Sequence, residues 1–319
     1  MTAYVARRIA SLAPVWLGIT FFAFALASLA PGDPAELILG RELDQPPTPE
    51  QLADFREQNG LDQPFLVQYA HWTAGAVTGD LGTSFRSGKP VYGELAGRLP
   101  ATLEITVPAF LVSIGFALAL GVTSAVLRNS LADHVSRVGA LVGDSLPSFV
   151  LAYLLIIVFS VGLGILPVSG RGTWRHLVLP SLTLGLATTA SLMRLTRSSL
   201  LEVLGEDYVR TARAMGLHRR TIILRYALRN ALVPLVTYGA VIFGVLVTST
   251  VIVETVFGWP GIGKFVVDSI FDRDYPVVQG FVVFTGTLFV VVNLLVDVIY
   301  VRLDPRIRLG GEGVAARGG

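Results

Sequence analysis

The sequence predicts an all-α integral membrane protein with six transmembrane helices and a small extracytoplasmic insertion after the first. Three observations carry that prediction. Only 15% of the 319 residues are charged and 52% are hydrophobic, where a soluble domain carries about 25% charged residues to keep its surface wet. The mean hydropathy is +0.64. The apolar residues are concentrated in six stretches, at 9–30, 105–127, 138–163, 177–195, 231–256 and 277–301, each near the roughly 20 residues a bilayer core demands. Helices are the spanning form, because a lipid-exposed strand or loop leaves backbone N–H groups without partners.

The first stretch has features of a secretory signal, with Arg7 and Arg8 ahead of it and Ser28-Leu29-Ala30 at its end. Its apolar run exceeds the usual core of about 7–15 residues, and Pro31 follows the possible cut, so a retained helix is expected. The fourth stretch is the shortest and most polar. Orientation follows from the basic residues of the short loops. With the N-terminus inside, Arg7 and Arg8, Arg128 and Arg137, eight arginines from Arg194 to Arg229, and Arg302, Arg306, Arg308 and Arg317 are cytoplasmic. That is 16 of the 25 Lys and Arg, and five of the other nine lie in the long 31–104 loop. Both termini are therefore expected in the cytoplasm and 31–104 outside.

Within that outer segment, Thr48-Pro49-Glu50-Gln51 has an N-cap threonine, a proline at the first helical position and a glutamine at the third. Asn59-Gly60 supplies a stop, so one short helix is predicted at 49–58. Phe65, Tyr69, His71 and Trp72 are expected to pack this subdomain onto the membrane helices.

Enzymatic chemistry finds no foothold. Cysteine is absent, which excludes disulfides, thiolate metal sites and a cysteine nucleophile. The four histidines (71, 134, 176 and 218) show no metal spacing. Gly143-Asp-Ser-Leu-Pro147 lacks the second glycine of a nucleophile elbow. Gly258-Trp-Pro-Gly-Ile-Gly263-Lys264 imitates the start of a P-loop, but Phe265 stands where the Mg²⁺-binding hydroxyl belongs. It reads instead as a tight re-entrant turn with Trp259 at the membrane interface. Gly139-xxx-Gly143 reads as helix packing. A net charge of +2 implies no nucleic-acid partner.

The informative segment joins the fourth and fifth stretches. Tyr208, Ala212 and Met215 recur at helical spacing, Glu206 and Asp207 suit a helix N-terminus, and Gly216 ends the helix before a second piece at 219–230. Two readings fit these residues. One is a basic helix lying on anionic lipid. The other is a docking helix, with Ala212, Ala214 and Gly216 as a small-residue flank that admits a partner closely.

Taken in order, the chain's motifs resemble the permease subunits of ABC importers, and among them the B-type permease of dipeptide and oligopeptide systems. The matching pieces include Tyr4 to Arg8, Pro31-Gly-Asp-Pro34, Gly60-Leu-Asp-Gln-Pro64, Gln68-Tyr69, Gly79-Asp-Leu-Gly82, Pro90-Val91 and Arg98-Leu-Pro-Ala-Thr-Leu103. They continue with Tyr208-Val-Arg-Thr-Ala-Arg-Ala-Met-Gly216, Leu228-Arg-Asn-Ala-Leu-Val-Pro234, Phe257-Gly-Trp-Pro-Gly-Ile-Gly263 and Leu303-Asp-Pro-Arg-Ile-Arg308. The general family's E-A-A falls on Arg210-Thr211-Ala212, a form the peptide branch shares, which leaves Glu206 or Asp207 to supply the acidic contact.

The resemblance implies a type I importer fold and alternating access powered by ATP in a bacterial inner membrane. Its implied divisions are a first helix at 1–30, an extracytoplasmic subdomain at 31–104, a five-helix core at 105–301 with a coupling region at 201–230, and a cytoplasmic tail at 302–319. The implied partners are a second permease, two cytoplasmic ATPase subunits, an extracytoplasmic substrate-binding lipoprotein and membrane lipid. ATP and Mg²⁺ belong to the ATPases, with no cofactor, metal or catalytic residue on this chain. The implied docking residues are Glu206, Asp207, Tyr208, Arg210, Thr211, Ala212, Arg213, Ala214 and Gly216. The extracytoplasmic turn is Gly258, Trp259, Pro260, Gly261 and Gly263. The substrate is a di- or oligopeptide, with nickel, glutathione or another small solute as alternatives. A stand-alone secondary transporter, using carboxylates such as Asp144, Glu254 and Asp297, is the reading from a different class.

Overall fold

The computed structural model describes the backbone of residues 2–29, 33–42 and 46–303, and their side chains except those of 2–12, 34, 37, 41–42 and 295–303. The expectations placed on Arg7, Arg8, Pro31, Gly32, Asp297 and the 302–319 tail thus lie outside what is described. Among the described residues every regular element is helical, and one isolated bridge joins Thr83 and Pro90. In chain order its helices are α1 (Thr2–Ser28), α2 (Pro34–Glu42), α3 (Pro49–Gln58), α4 (Phe65–Val77), α5 (Val91–Val126), α6 (Leu131–Ser145) and α7 (Ser148–Leu155). A π-helical turn, Ile156–Gly162, continues α7. Then come α8 (Trp174–Leu204), α9 (Asp207–Ala214), α10 (Arg219–Thr221), a second π segment at Ile222–Ala227, α11 (Leu228–Thr248), α12 (Val251–Val256), α13 (Ile262–Phe271) and α14 (Tyr275–Leu303).

Four segments are long and apolar enough to cross a bilayer: Val91–Val126, Trp174–Leu204, Arg219–Thr248 and Tyr275–Leu294. The pair Leu131–Ser145 and Ser148–Gly162 counts as a fifth only if taken together, and it is bent by 107°. The described residues therefore give four or five spans where the sequence predicts six, because the described apolar part of α1, Ala13–Ser28, is too short by the same criterion.

Two predicted spans are interrupted. The 138–163 stretch breaks at Leu146-Pro147, where Leu146 is extended (φ −81°, ψ 125°). Proline lacks an N–H and its ring drives the preceding residue out of the helical region. The 231–256 stretch breaks between α11 and α12 at Ser249 and Thr250.

The chain divides into two compact units, residues 1–100 with 264–290 and residues 101–263 with 291–319. In the first, Thr48 caps α3 as predicted: its Oγ accepts from the Gln51 N–H and the Gln51 side chain accepts from the Thr48 N–H, a closed capping box. The predicted aromatic packing is also present. Phe21 and Phe24 of α1 meet Phe65, Tyr69 and Trp72 of α4 with ring centroids 5.3 to 5.9 Å apart, and His71 stays exposed. The helix α4 itself was not foreseen. In the same unit, the buried Asp274 accepts from the Ser84 hydroxyl at 2.5 Å and from the Phe85 and Arg86 N–H groups at 3.0 and 3.2 Å.

In the second unit α8 is the central strut. The polar residues that made it look weak as a span face protein. Thr183, Thr189 and Thr196 are buried and donate to the carbonyls of Leu179, Gly185 and Leu192 one turn earlier at 2.7 to 2.9 Å. Glycine allows α5 and α8 to touch backbone to backbone. A Cβ on Gly185 would stand 2.5 Å from the Ala109 carbonyl, and one on Gly121 2.6 Å from the Thr196 Cβ.

Candidate functional site

Two constructions in the second unit stand out, at opposite ends of α5. The first is the 205–219 segment. Gly205 ends α8 and α9 begins at once with Glu206 as N-cap. The predicted stop is a Schellman motif. Gly216 sits at φ +78°, its N–H donates to Arg213 O at 2.9 Å, and the Leu217 N–H reaches Ala212 O at 3.2 Å. Glycine is needed there because a side chain is strained in the left-handed region.

Val209 and Ala212 are buried with Ile222 of the π segment, flanked by Leu204 and Leu217. Tyr208 and Met215, which recur with Ala212 at helical spacing, are exposed. Ala212 therefore works as an internal contact that lets α9 approach the chain's own helix, and only Ala214 and Gly216 remain of the small outer flank. Glu206, Asp207, Arg210, Thr211 and Arg213 are all exposed. Asp207 and Arg210 pair at 3.2 Å, an exposed pair that contributes little by itself. The segment is tied down by Asn230 Nδ2 donating to the Tyr208 hydroxyl at 2.8 Å and by Arg219 donating to Val126 O at 2.9 Å. The result is a short helix pinned on one side and bare on the other. The second helical piece, expected at 219–230, runs through the π segment into α11 without a break. Such wide turns are frequent at functional sites.

The second construction is the 257–263 turn. Gly258 lies at φ +60°, and the turn closes with the Trp259 N–H on Glu254 O at 2.8 Å. Trp259, expected at the membrane interface, is buried within the protein. It is 1% exposed, and its indole N–H donates to Ala101 O at 2.7 Å, since a buried ring with a donor finds an acceptor. Gly261 and Gly263 are buried while Gly258 and Pro260 are exposed. Gly261 is buried against Glu254, a fully buried carboxylate, and Gly263 against the Val251 backbone as well as Glu254. A Cβ on Gly261 would stand 2.3 Å from Glu254 Oε1, and one on Gly263 2.5 Å from the Val251 Cα and 2.9 Å from Glu254 Oε2. Thr102 of α5 donates its hydroxyl to Glu254 at 2.7 Å and accepts from the Ile262 N–H at 3.0 Å. The glycines that imitate a P-loop therefore cradle an internal carboxylate. On the outer edge Arg171 grips Glu104 through two bonds at 2.9 and 2.5 Å. That pairing holds the guanidinium pKa above its ordinary value. The sequence pointed to the turn but not to Thr102 or to Glu254 as its anchor. The available signal was an acid inside an apolar run just ahead of two closely spaced glycines.

Between Thr102, at the turn, and Val126, at the 205–219 segment, α5 rises about 36 Å. That exceeds the roughly 30 Å hydrocarbon core of a bilayer, so one helix carries both constructions far enough apart to flank it.

A third cluster, unforeseen in the sequence, ties α5, α6 and α8 together. The buried Asp133 accepts from Arg197 at 3.0 and 3.1 Å, from the Asn129 N–H at 3.0 Å and from the Ser124 hydroxyl. Asp144, a candidate ion-coupling group on the secondary-transporter reading, is half-exposed and meets Arg194 at 3.3 Å. Among the described residues no group of His, Asp and Glu is arranged to hold a metal ion.

Comparison with known proteins places these features. Two family models cover the chain: the N-terminal region of the binding-protein-dependent transport system membrane component over residues 1–106, and the binding-protein-dependent transport system inner membrane component over 117–309. The chain is 44% identical over 308 residues to the glutathione transport system permease protein GsiC of Salmonella choleraesuis, covering 97% of this chain and 99% of that one. It is 43% identical to GsiC of Escherichia coli K12 over the same shares. Among solved structures it resembles an inward-facing form of the MetNI methionine ABC transporter, with a TM-score of 0.56 and 19% identity over 66% of this chain and 96% of that one. The last likeness speaks to the fold. The family matches and the whole-length identities settle the kinship: this chain belongs to the binding-protein-dependent transport system inner membrane components, the multi-pass permease subunits of ABC importers.

Proposed function

We propose that this permease forms half of the translocation path of an ATP-driven importer for short peptides, glutathione foremost among them. The observation that carries the substrate reading is the 44% identity to glutathione permeases across 97% of the chain. Glutathione is itself a tripeptide, so the reading narrows the di- or oligopeptide expectation without leaving its chemistry.

The 205–219 segment is the coupling element. Its bare face, with Glu206, Asp207, Tyr208, Arg210, Thr211, Arg213, Ala214 and Gly216, receives a cytoplasmic ATPase subunit, and Ala212 seats the helix on its own chain. ATP and Mg²⁺ act on two such ATPases, and this chain binds no cofactor. ATP-driven closure moves α9, and the π segment beneath it passes the displacement to α11. A second permease completes the path, and an extracytoplasmic lipoprotein delivers substrate to the side bearing Gly258, Trp259, Pro260, Gly261 and Gly263. Residues 1–30, 31–104, 105–301 and 302–319 serve as first helix, outer subdomain, core and tail. Both termini and 196–230 are cytoplasmic.

Two measurements test this. In cells carrying the complete importer, labelled glutathione uptake should be competed by unlabelled glutathione more strongly than by dipeptides or nickel. Competition by dipeptides alone would return the chain to the general peptide class. Single cysteines at positions 218 and 55 of this cysteine-free chain should react with an impermeant reagent on intact cells only at 55. Labelling at 218 alone would invert the orientation.

A further inference from the structure

We propose that the cleft between α6 and α8 is a binding site for the phosphate of an anionic phospholipid, with Arg137, Arg194 and Arg197 as its ligands. The cleft has a volume of about 360 Å³ and is lined by those three arginines with Ala140, Leu141 and Met193. Its charges do not balance. Asp133 is committed to Arg197 through both carboxylate oxygens. Asp144 reaches Arg194 only through long contacts of 3.3 and 3.4 Å. Arg137 forms no ion pair among the described residues. Three guanidiniums face two carboxylates, which leaves one positive charge in excess. A phosphodiester supplies one negative charge, and its oxygens match the forked donors of arginine.

The surroundings select a lipid over a soluble anion. The helix α6 is amphipathic with its polar side inward: Asp133, Ser136 and Ala140 are buried, while Leu131, Val135, Val138 and Val142 stand 54–80% exposed. Leu141, 53% exposed, lies one turn beyond Arg137 and leads from the cleft toward that apolar stripe. A small hydrophilic anion gains nothing from such a stripe. Acyl chains hanging from a phosphate in the cleft would cover it. Basic pockets beside membrane helices hold acidic headgroups in this way.

The test uses the complete importer in phosphatidylcholine nanodiscs containing a trace of photoactivatable phosphatidylglycerol. Label should appear on the 131–145 fragment and be displaced by unlabelled phosphatidylglycerol, but not by extra phosphatidylcholine, inorganic phosphate or glutathione. Arg137→Ala and Arg194→Ala should each lower labelling about fivefold, the effect of one interfacial arginine. No label on this fragment, equal displacement by phosphatidylcholine, or unchanged labelling in assembled Arg137→Ala overturns the proposal. Displacement by inorganic phosphate assigns the cleft to a soluble anion, and displacement by glutathione places it on the transport path. Either result overturns the lipid site. If neither variant assembles, the headgroup competition on the unaltered protein decides.

Discussion

Replacing Gly261 with alanine should damage the protein far more than a glycine-to-alanine change normally does. Gly261 is outside the left-handed region, so the backbone accepts alanine. The obstacle is the carboxylate behind it. The new methyl would sit 2.3 Å from Glu254 Oε1, 2.4 Å from Cδ and 2.5 Å from Oε2, against an optimum of about 3.5 Å. The carboxyl must retreat by about 1 Å, and Glu254 is fully buried with its Oε1 held by Thr102 at 2.7 Å. Overpacking costs about 1–3 kcal/mol, and a lost hydrogen bond to a charged group about 1.5–3 kcal/mol. The expected destabilisation is about 4 kcal/mol. Gly97→Ala is the control. Gly97 is helical with nothing within 4 Å of its Cβ position, and alanine there should stabilise by about 0.5–1 kcal/mol. Denaturant unfolding of the purified complex, followed by tryptophan fluorescence, measures both. The decisive comparison is the double variant Glu254→Ala, Gly261→Ala. With the carboxylate gone, the alanine should add less than about 1 kcal/mol, so the two changes are strongly non-additive. Wild-type stability in Gly261→Ala, or additive effects in the double variant, would refute the steric argument.

Other consequences follow from the remaining sites. Asp133→Asn should cost about 3–5 kcal/mol, the usual penalty for leaving one partner of a buried pair without its counter-charge, and the same unfolding titration reads it. Asp144→Asn should leave uptake ATP-dependent, since Asp144 is half-exposed and only loosely paired with Arg194. Complete loss of transport with normal assembly would revive the ion-coupled reading. At Gly216 the structure leaves open space around the Cβ position, so the cost of Gly216→Val within this chain is backbone strain of at least about 1–2 kcal/mol. Gly216→Asn, which tolerates the left-handed region, should retain co-purifying ATPase subunits, whereas Gly216→Val should lose them or lose substrate-stimulated hydrolysis.

The local grammar of the chain was legible where one or two residues dictate a geometry. Thr48 with Gln51 announced a capping box, and Gly216 announced a helix stop in the left-handed region. Hydropathy erred where it averages over such residues. It carried the third span straight through Leu146-Pro147, although a pre-proline residue disfavours the helical region, and it carried the fifth through Ser249-Thr250. Spacing marked Tyr208, Ala212 and Met215 as a helical pattern but did not say which side of α9 turns inward. Val209 and Ala212 do, because an eight-residue helix turns whichever side meets Ile222 and Leu217. The anchors Thr102–Glu254 and Ser124–Asp133–Arg197 join residues far apart in sequence, and no local pattern fixes such pairings. The burial of Trp259 was hidden for the same reason: nothing beside it in sequence shows that its indole N–H will meet the Ala101 carbonyl.

The claim that this chain is a path driven by ATP through α9 is tested most directly in proteoliposomes holding the complete importer, with the binding protein and labelled glutathione on the outside. The account predicts accumulation only when ATP is enclosed in the lumen, unchanged when proton and sodium gradients are collapsed, and abolished by Gly216→Val in complexes that still contain both permeases. Accumulation by this chain alone, driven by an ion gradient without ATP, would contradict it.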